Sequence, residues 1–396
     1  MSFDLDKTVW ERVTIGDVAV ASKEKVDPAS GEVDRYVAGE HMDTDDLKIN
    51  RWGEVGDGYL GPAFHRRFRR GQILYGSRRT YLRKVAVAEF DGVTANTTFV
   101  VEVKDPSTML QEFLPFVMSS EPFHAFAIQE SKGSVNPYVN WSDIARYEFN
   151  LPPVDEQKRL ADLHWAIEQH STELKQRLSS TSSLLQQFLR QRFAEFRGES
   201  IAIVDLCDDV VGGIWGSPEG EDEVDVLALG PRIYSGDTVS FVTDGSPVRS
   251  ISRRKAAARL VRENDIILER SGGSFDQPVG RVVIAGAGLA PCIPTDFQRL
   301  LRPNSALIEP RFLYWRLRFD WLQGITRNYS RRTTNITNLS VRDYLARKLV
   351  VPELKEQQCL LEELVIFEEA RMALTAELEN LTKLRSSVLA DIFRGD

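Results

Sequence analysis

Arginine is the chemistry-bearing residue that this chain gathers most densely. Arg66, Arg67, Arg69, Arg70, Arg78, Arg79, Arg83 and Lys84 fall in one stretch that holds no Asp or Glu. A second group, Arg253, Arg254, Lys255, Arg259 and Arg262, lies far downstream and is followed by Arg327, Arg331 and Arg332. A guanidinium is a planar fork of N–H donors, which suits phosphate oxygens and the guanine edge better than the point charge of lysine does. These clusters point to nucleic acid although the net charge is −8, because the distribution of charge decides more than its sum. The acid is held apart in Asp43-Thr44-Asp45-Asp46, in Glu219-Gly220-Glu221-Asp222-Glu223 and around Glu362-Glu363 and Glu368-Glu369. A lone basic cluster reads equally well as solvated surface charge; recurrence in both halves of the chain weighs for binding.

Motifs for catalysis are missing by comparison. There is no Gly-Lys-Ser/Thr, hence no loop of the kind that cradles nucleotide phosphates. Gly212-Gly213-Ile214-Trp215-Gly216 and Gly286-Ala287-Gly288 lack the fingerprint spacing and read as turns. Asn136-Pro137-Tyr138 resembles the Asn-Pro-Pro-Tyr of adenine methyltransferases but lacks the second proline, and reads as a turn whose Asn and Tyr suit phosphate or base contacts. Pro352-Glu353-Leu354-Lys355 resembles half of a nuclease signature, yet it opens a helix and has no identifiable acidic partner. Of the histidines (His41, His65, His124, His164, His170), His164 and His170 are six apart and do not share a helix face. Cys207, Cys292 and Cys359 are odd in number and far apart, which argues against disulfides or a zinc cluster and for a reducing cytoplasm. No basic leader or long apolar run indicates export or a membrane.

The elements that must position the arginines come in two copies. Leu151-Pro152-Pro153-Val154-Asp155-Glu156-Gln157 returns as Val351-Pro352-Glu353-Leu354-Lys355-Glu356-Gln357, a shift of 200 without a gap. The match continues through Leu160/Leu360, Glu168/Glu368, Leu174/Leu374, Leu189/Leu389 and Phe193/Phe393. Proline followed by acid is a helix start signal. Apolar residues then recur at spacings of three and four: Leu160, Ile167, Leu174, Leu178, Leu185 and Phe188 in one copy, and Leu360, Leu364, Phe367, Leu374, Leu378, Leu381, Val388 and Ile392 in the other. His164, Arg371 and Arg385 interrupt seam positions, as polar residues do where they fix register at some cost in stability. Each helix has the other as an obvious partner, and antiparallel pairing gives a pseudo-two-fold rod. About 42 residues at 1.5 Å each make ~63 Å, or roughly 18 base pairs at 3.4 Å each. Such an object suits a ruler.

Internal similarity of this kind constrains architecture more than a single motif does. The 396 residues, 42% hydrophobic and 27% charged, suffice for two or three cores of ordinary composition. Ahead of each helix lies a globular unit with ordered but weaker correspondences. Val13-Thr14-Ile15-Gly16-Asp17 aligns with Val204-Asp205-Leu206-Cys207-Asp208, and Gly71 to Ser77 aligns with Asn264 to Arg270 as a turn leading into a short apolar strand. Asn140-Trp141-Ser142 aligns with Asn338-Leu339-Ser340. Strand-like runs such as Val85 to Ala88, Phe99 to Val103 and Val279 to Ile284 alternate with Gly/Ser/Asn turns. The expected fold is therefore mixed α+β: globular units at 1–150 and 198–348, with helices at 151–197 and 349–396 forming a long antiparallel two-helix coiled coil.

The order of variable unit, helix opening with Pro-Pro-Val-Asp-Glu-Gln, second variable unit and helix opening with Pro-Glu-Leu-Lys-Glu-Gln resembles the specificity subunit of Type I restriction-modification enzymes. Gly71 to Ser77, Tyr81 to Val87 and Val388 to Phe393 add to that likeness, which extends over essentially the whole chain. The resemblance implies two target recognition domains, each reading one half of a bipartite site in double-stranded DNA, with paired helices that dock two methyltransferase subunits and restriction/translocase subunits. It implies no cofactor in this chain; S-adenosylmethionine and ATP would belong to the partners. Direct readers are expected among Arg78, Arg79, Tyr81, Lys132, Ser134, Asn136 and Tyr138 in the first domain. In the second they are expected among Arg270, Ser271, Arg331, Arg332, Thr333 and Asn335. Arg66, Arg67, Arg69, Arg70, Arg253, Arg254 and Lys255 are expected to position phosphates. A related assembly whose partner fuses nuclease and methyltransferase is not distinguished by sequence. A coiled-coil scaffold that never reads DNA is the rival class, disfavoured by the repeated basic clusters.

Overall fold

A computed structural model describes residues 5–234, 239–273, 277–332 and 336–393. The chain divides into two compact units: Met1–Lys175 with Glu377–Asp396, and Gln176–Ala376.

In the first unit, strand Glu11–Thr14 pairs antiparallel with Glu148–Leu151, so the beginning and end of the globular part meet. Thr14 and Asp17 then form a reciprocal capping box at the turn that follows. A four-stranded antiparallel sheet runs Ala19–Ala21, Thr98–Val103, Ile73–Gly76, Val85–Val87. A second runs Gly53–Glu54, Arg35–Val37, Gly92–Ala95, Phe64–Phe68, with its middle pair parallel. The run Ile73-Leu74-Tyr75 is apolar throughout because both faces of its strand are covered. Ile73 and Tyr75 join a core with Phe113, Phe116, Phe123, Leu160, Val388 and Ile392, whereas Leu74 packs with Val37, Phe68 and Val100.

The second unit repeats this topology except for strand Phe64–Phe68, which has no counterpart among the described residues. Glu199–Ala202 pairs with Lys348–Val351. The sheet Cys207–Gly212, Gln298–Pro303, Ile266–Glu269, Val282–Ile284 has the same order and pairing sense as its counterpart. Val248–Ile251, Val224–Leu229 and Cys292–Pro294 form the other sheet, again with one parallel pair. The two-sided strand recurs as well: Ile266 and Leu268 face a core with Phe312, Leu189, Phe193 and Leu360, while Ile267 faces Val283 and Leu300. One helix, Pro310–Leu322, occupies the place that Leu114–Met118 and Glu121–Gln129 share in the first unit.

Hydrogen bonds fix which residues are equivalent. Gly71 and Asn264 both take a positive φ before the central strand, donating to Ala88 O and Ala285 O respectively, as the sequence alignment of those two turns requires. Two other alignments shift. Ile15 N donates to Tyr147 O and Ile203 N to Arg347 O, so Ile15 corresponds to Ile203 rather than to Leu206. Asn140 and Ser340 precede the short helices Trp141–Ile144 and Val341–Leu345 as N-caps, so Asn140 corresponds to Ser340 rather than to Asn338. In both cases the matching residue types lie three or two places away from the structural equivalents.

The long helices span Val154–Glu195 and Leu354–Phe393. Within the first unit their segments run antiparallel: Leu160 shares a core with Ile392, Glu168 pairs with Arg385 at 2.6 Å and His170 with Glu377 at 2.8 Å. Within the second unit they do so again, with Arg192 on Glu363 at 3.0 Å, Arg371 on Ser182 at 2.6 Å and Phe188 against Phe367. Burying each leucine, such as Leu160, Leu189, Leu360 or Leu364, contributes about 1.5–3 kcal/mol. Of the apolar series expected to form the seam, Leu178, Phe188, Phe367, Leu374, Leu378 and Leu381 are only half-buried.

Both helix starts are tied down by the repeated glutamine. Fully buried Gln157 accepts from Leu110 N at 2.9 Å and donates to Pro152 O and Thr108 O. Gln357, also fully buried, accepts from Glu309 N at 2.8 Å and donates to Pro352 O. The side chain thus satisfies backbone groups of the loop that leads into the preceding helices.

Candidate nucleic-acid interface

The first arginine cluster divides into two places. Arg66 to Arg70 lie on strand Phe64–Phe68 and the turn after it, where most of the charge is already matched. Arg66 is half-buried, donates to Thr98 O at 3.1 Å and stacks over Phe99; burial draws its pKa down. Arg67 pairs with Glu32 at 2.9 Å and with Glu24, and Arg69 forks onto Glu24 at 2.7 and 3.1 Å. That fork holds the Glu24 carboxyl below its ordinary range. Only Arg70 in this group has an exposed guanidinium without a carboxylate partner among the described residues, although its backbone N–H donates to Asp91 Oδ1 at 2.9 Å.

Arg78 to Tyr81 meet the loop 131–138, so seven expected readers come together. Arg78 and Lys132 each lie opposite Tyr138 in antiparallel bridges, with the Arg78 guanidinium 4.8 Å from the tyrosine ring centroid. Directly opposed residues project from the same face; Arg78, Tyr138 and Lys132 thus form one transverse row. Arg79, held at φ 50°, donates from Nε to Asn136 Oδ1 at 3.0 Å and from its backbone to Pro137 O. Tyr81 is 52% exposed, and Ser134 and Asn136 are exposed at the loop tip. Asp143, buried beneath, accepts from Lys132 Nζ at 2.8 and 3.0 Å, which holds its carboxyl below the usual range. Asn136-Pro137-Tyr138 is therefore part of a surface loop braced by Arg79.

The second unit builds the same corner from different residues. Strands Ser271–Gly273, Thr337–Leu339 and Ser330–Arg332 form a three-stranded antiparallel sheet. Ser271 and Arg331 both lie opposite Asn338, and Ser271 Oγ donates to Asn338 Oδ1 at 2.7 Å. Leu339 N donates to Arg270 O just as Val139 N donates to Ser77 O, which sets the two corners in register. The row Arg78, Tyr138, Lys132 thus corresponds to Ser271, Asn338, Arg331. Arg270 donates weakly to Asp296 O; Arg331 and Arg332 are exposed with no carboxylate partner among the described residues. Thr333 and Asn335 lie outside the described residues.

Arg253, Arg254 and Lys255 are exposed in the first turn of helix Arg253–Arg259 and hold no ion pair among the described residues. Cations at that end oppose the helix dipole, so folding gives no local reason for them, although Glu223 accepts from Arg253 N at 2.6 Å. Asn338 and Asp143 were not among the expected site residues. The signal for Asn338 was its short distance in sequence from Arg331 and Arg332 across a run rich in Thr and Asn. No group of three or more His, Cys, Asp or Glu able to hold a metal ion occurs among the described residues. No described helix is long and apolar enough to cross a membrane.

The chain has known relatives. Residues 8–180 match the family model of the Type I restriction modification DNA specificity domain. Over 198 residues the chain is 26% identical to the Type I restriction enzyme EcoDI specificity subunit of Escherichia coli, an alignment that spans 49% of this chain and 43% of that one. Two solved structures share the fold. The Type-I restriction-modification system S subunit from M. genitalium superposes with a TM-score of 0.60 at 14% identity, covering 100% of this chain and 98% of that one. A chain from a study of complex assembly and conformational transition in the type I R-M system gives 0.56 at 20% identity, covering 98% of both.

Proposed function

Because residues 8–180 match the family model of the Type I restriction modification DNA specificity domain, we propose that this chain is a noncatalytic specificity subunit that reads an asymmetric, bipartite site in double-stranded DNA. One observation carries the reading: the two units share a frame and an equivalent corner, built of isolated bridges in the first and of a three-stranded sheet in the second, and these corners differ in chemistry, Arg/Tyr/Lys in one and Ser/Asn/Arg in the other. A common frame with unlike exposed polar residues is what two separate readers require. Phosphate contacts fall to Arg70, Arg253, Arg254 and Lys255, whose charges are unmatched within the described residues. Arg67 and Arg69 serve first to brace Glu24 and Glu32.

On this reading residues 1–150 and 198–348 are the recognition domains, and 151–197 and 349–396 pair as an antiparallel coiled coil about a pseudo-two-fold axis. The coiled coil spaces the domains and docks methyltransferase and restriction/translocase subunits, which bring S-adenosylmethionine and ATP. The assembly works in the cytoplasm. Mapping methylated bases across the genome, with and without the gene, tests the proposal. A methylated motif of two unlike halves around an unread spacer should disappear on deletion; an unchanged methylome, or methyl transfer by the purified chain alone, contradicts it.

A further inference from the structure

Deepening that reading and resting on it, we propose that Asn338 is a specificity-determining residue: its carboxamide reads one base, an adenine, in the half-site of the second unit. Asn338 occupies the centre of the row Ser271, Asn338, Arg331, the place that Tyr138 occupies between Arg78 and Lys132. All three side chains of a row project from one face of the sheet. Asn338 is half-buried and its neighbour Leu339 is buried on the opposite face, so the carboxamide belongs to the face that carries exposed Arg331.

Orientation supplies the second step. Ser271 Oγ donates to Asn338 Oδ1 at 2.7 Å, which fixes the plane of the amide while leaving both Nδ2 hydrogens and one oxygen lone pair without a partner among the described residues. A fixed donor and acceptor side by side complement N7 and N6 of adenine in the major groove, whereas a carboxylate in the same place accepts from N4 of cytosine. Arg331, directly opposite and without a carboxylate partner among the described residues, supplies the positive potential that draws the backbone close. In the first unit the corresponding cation, Lys132, is instead tied to Asp143. Asp343, the equivalent of Asp143, accepts from Ser340 Oγ at 2.6 Å and leaves Arg331 unengaged.

The test is Asn338→Asp in the complete complex with its methyltransferase partner. Aspartate keeps the size of the side chain and the acceptor for Ser271, so the row survives. The methylation motif and binding to a panel of duplexes with single base-pair changes are read together. Expected is a changed preference at one base pair of one half-site, from adenine toward cytosine, with about ten- to a hundredfold weaker binding of the original site. The other half-site and the spacer stay as they were. Asn338→Ser, which removes the amide without adding charge, should relax the same position, and it decides the matter if the aspartate variant does not assemble. Unaltered preferences overturn the proposal, whether affinity is unchanged or falls equally on all sequences, since a uniform loss reports phosphate repulsion alone. A wild-type complex with no sequence preference overturns the specificity-subunit reading itself, before any variant is compared.

Discussion

Arg331 and Arg332 are neighbours on one strand and therefore point to opposite faces of it. Replacing both with Ala should weaken or relax recognition of one half-site, a base contact being worth about 1–3 kcal/mol. Equal damage to both half-sites would refute separate readers, and an unaltered motif and affinity would remove these arginines from the site. Two buried histidines of the first unit make a prediction about pH. His124 and His164 are each 1% exposed, and no ring nitrogen of either has a hydrogen-bond partner among the described residues. Burial, assisted by Arg385 and for His124 by Arg83, pushes both pKa values down to about 3. A histidine whose folded pKa lies below its unfolded value contributes stability that is complete above about 6.5 and lost as pH falls toward the folded pKa. Glu168, raised mainly by burial, acts in the opposite sense. Between pH 6 and 5 the first unit should therefore lose stability at up to about 1.4 kcal/mol per pH unit for each histidine. His124→Gln with His164→Gln should flatten that slope in thermal melts; a slope equal to wild type would show that these rings do not set it.

Among the elements, the helix starts are the most sensitive joints. Gln157→Ala removes the partner of Pro152 O in the interior, where an orphaned group costs about 1–3 kcal/mol, and of the part-buried Leu110 N and Thr108 O, which water reaches more easily. Hydrogen exchange should rise around residues 105–115 in that variant, and around residues 304–310 in Gln357→Ala, with the other unit unaffected in each case. Uniform protection throughout would mean that water replaces the amide. The exact repetition of this glutamine was visible in the sequence, and so were the helices and the turns at Gly71 and Asn264, because local signals fix them: proline and acid at a helix start, positive φ ahead of a strand. What was not visible depends on distant partners. Glu24 and Glu32 neutralise Arg67 and Arg69 only because the sheet brings strands together, so an uninterrupted basic stretch looked freer than it is. The reading corners were legible as two lists of residues, but not as equivalent rows. That equivalence rests on backbone hydrogen bonds of Val139 and Leu339, to which residue identity gives no clue.

The two long helices pass through both units, and on the proposed reading they set the distance between the readers. Inserting one heptad near Ser180 and a matched heptad near Asn380 tests this, because seven residues preserve the apolar seam while adding about 10.5 Å to the rod. That length corresponds to roughly 3 base pairs at 3.4 Å each. The realised change is bounded by the turn of the DNA, since lengthening without rotation would carry one domain off the groove that it must face. Half-filled seam positions at Leu374, Leu378 and Leu381 make this the stretch where an insertion disturbs the least packing. The expected product is a methylation motif with both half-sites intact and a longer unread spacer. An active variant that keeps the original spacer would show that the helices do not measure distance, and altered half-site bases would show that reading and spacing are one function rather than two.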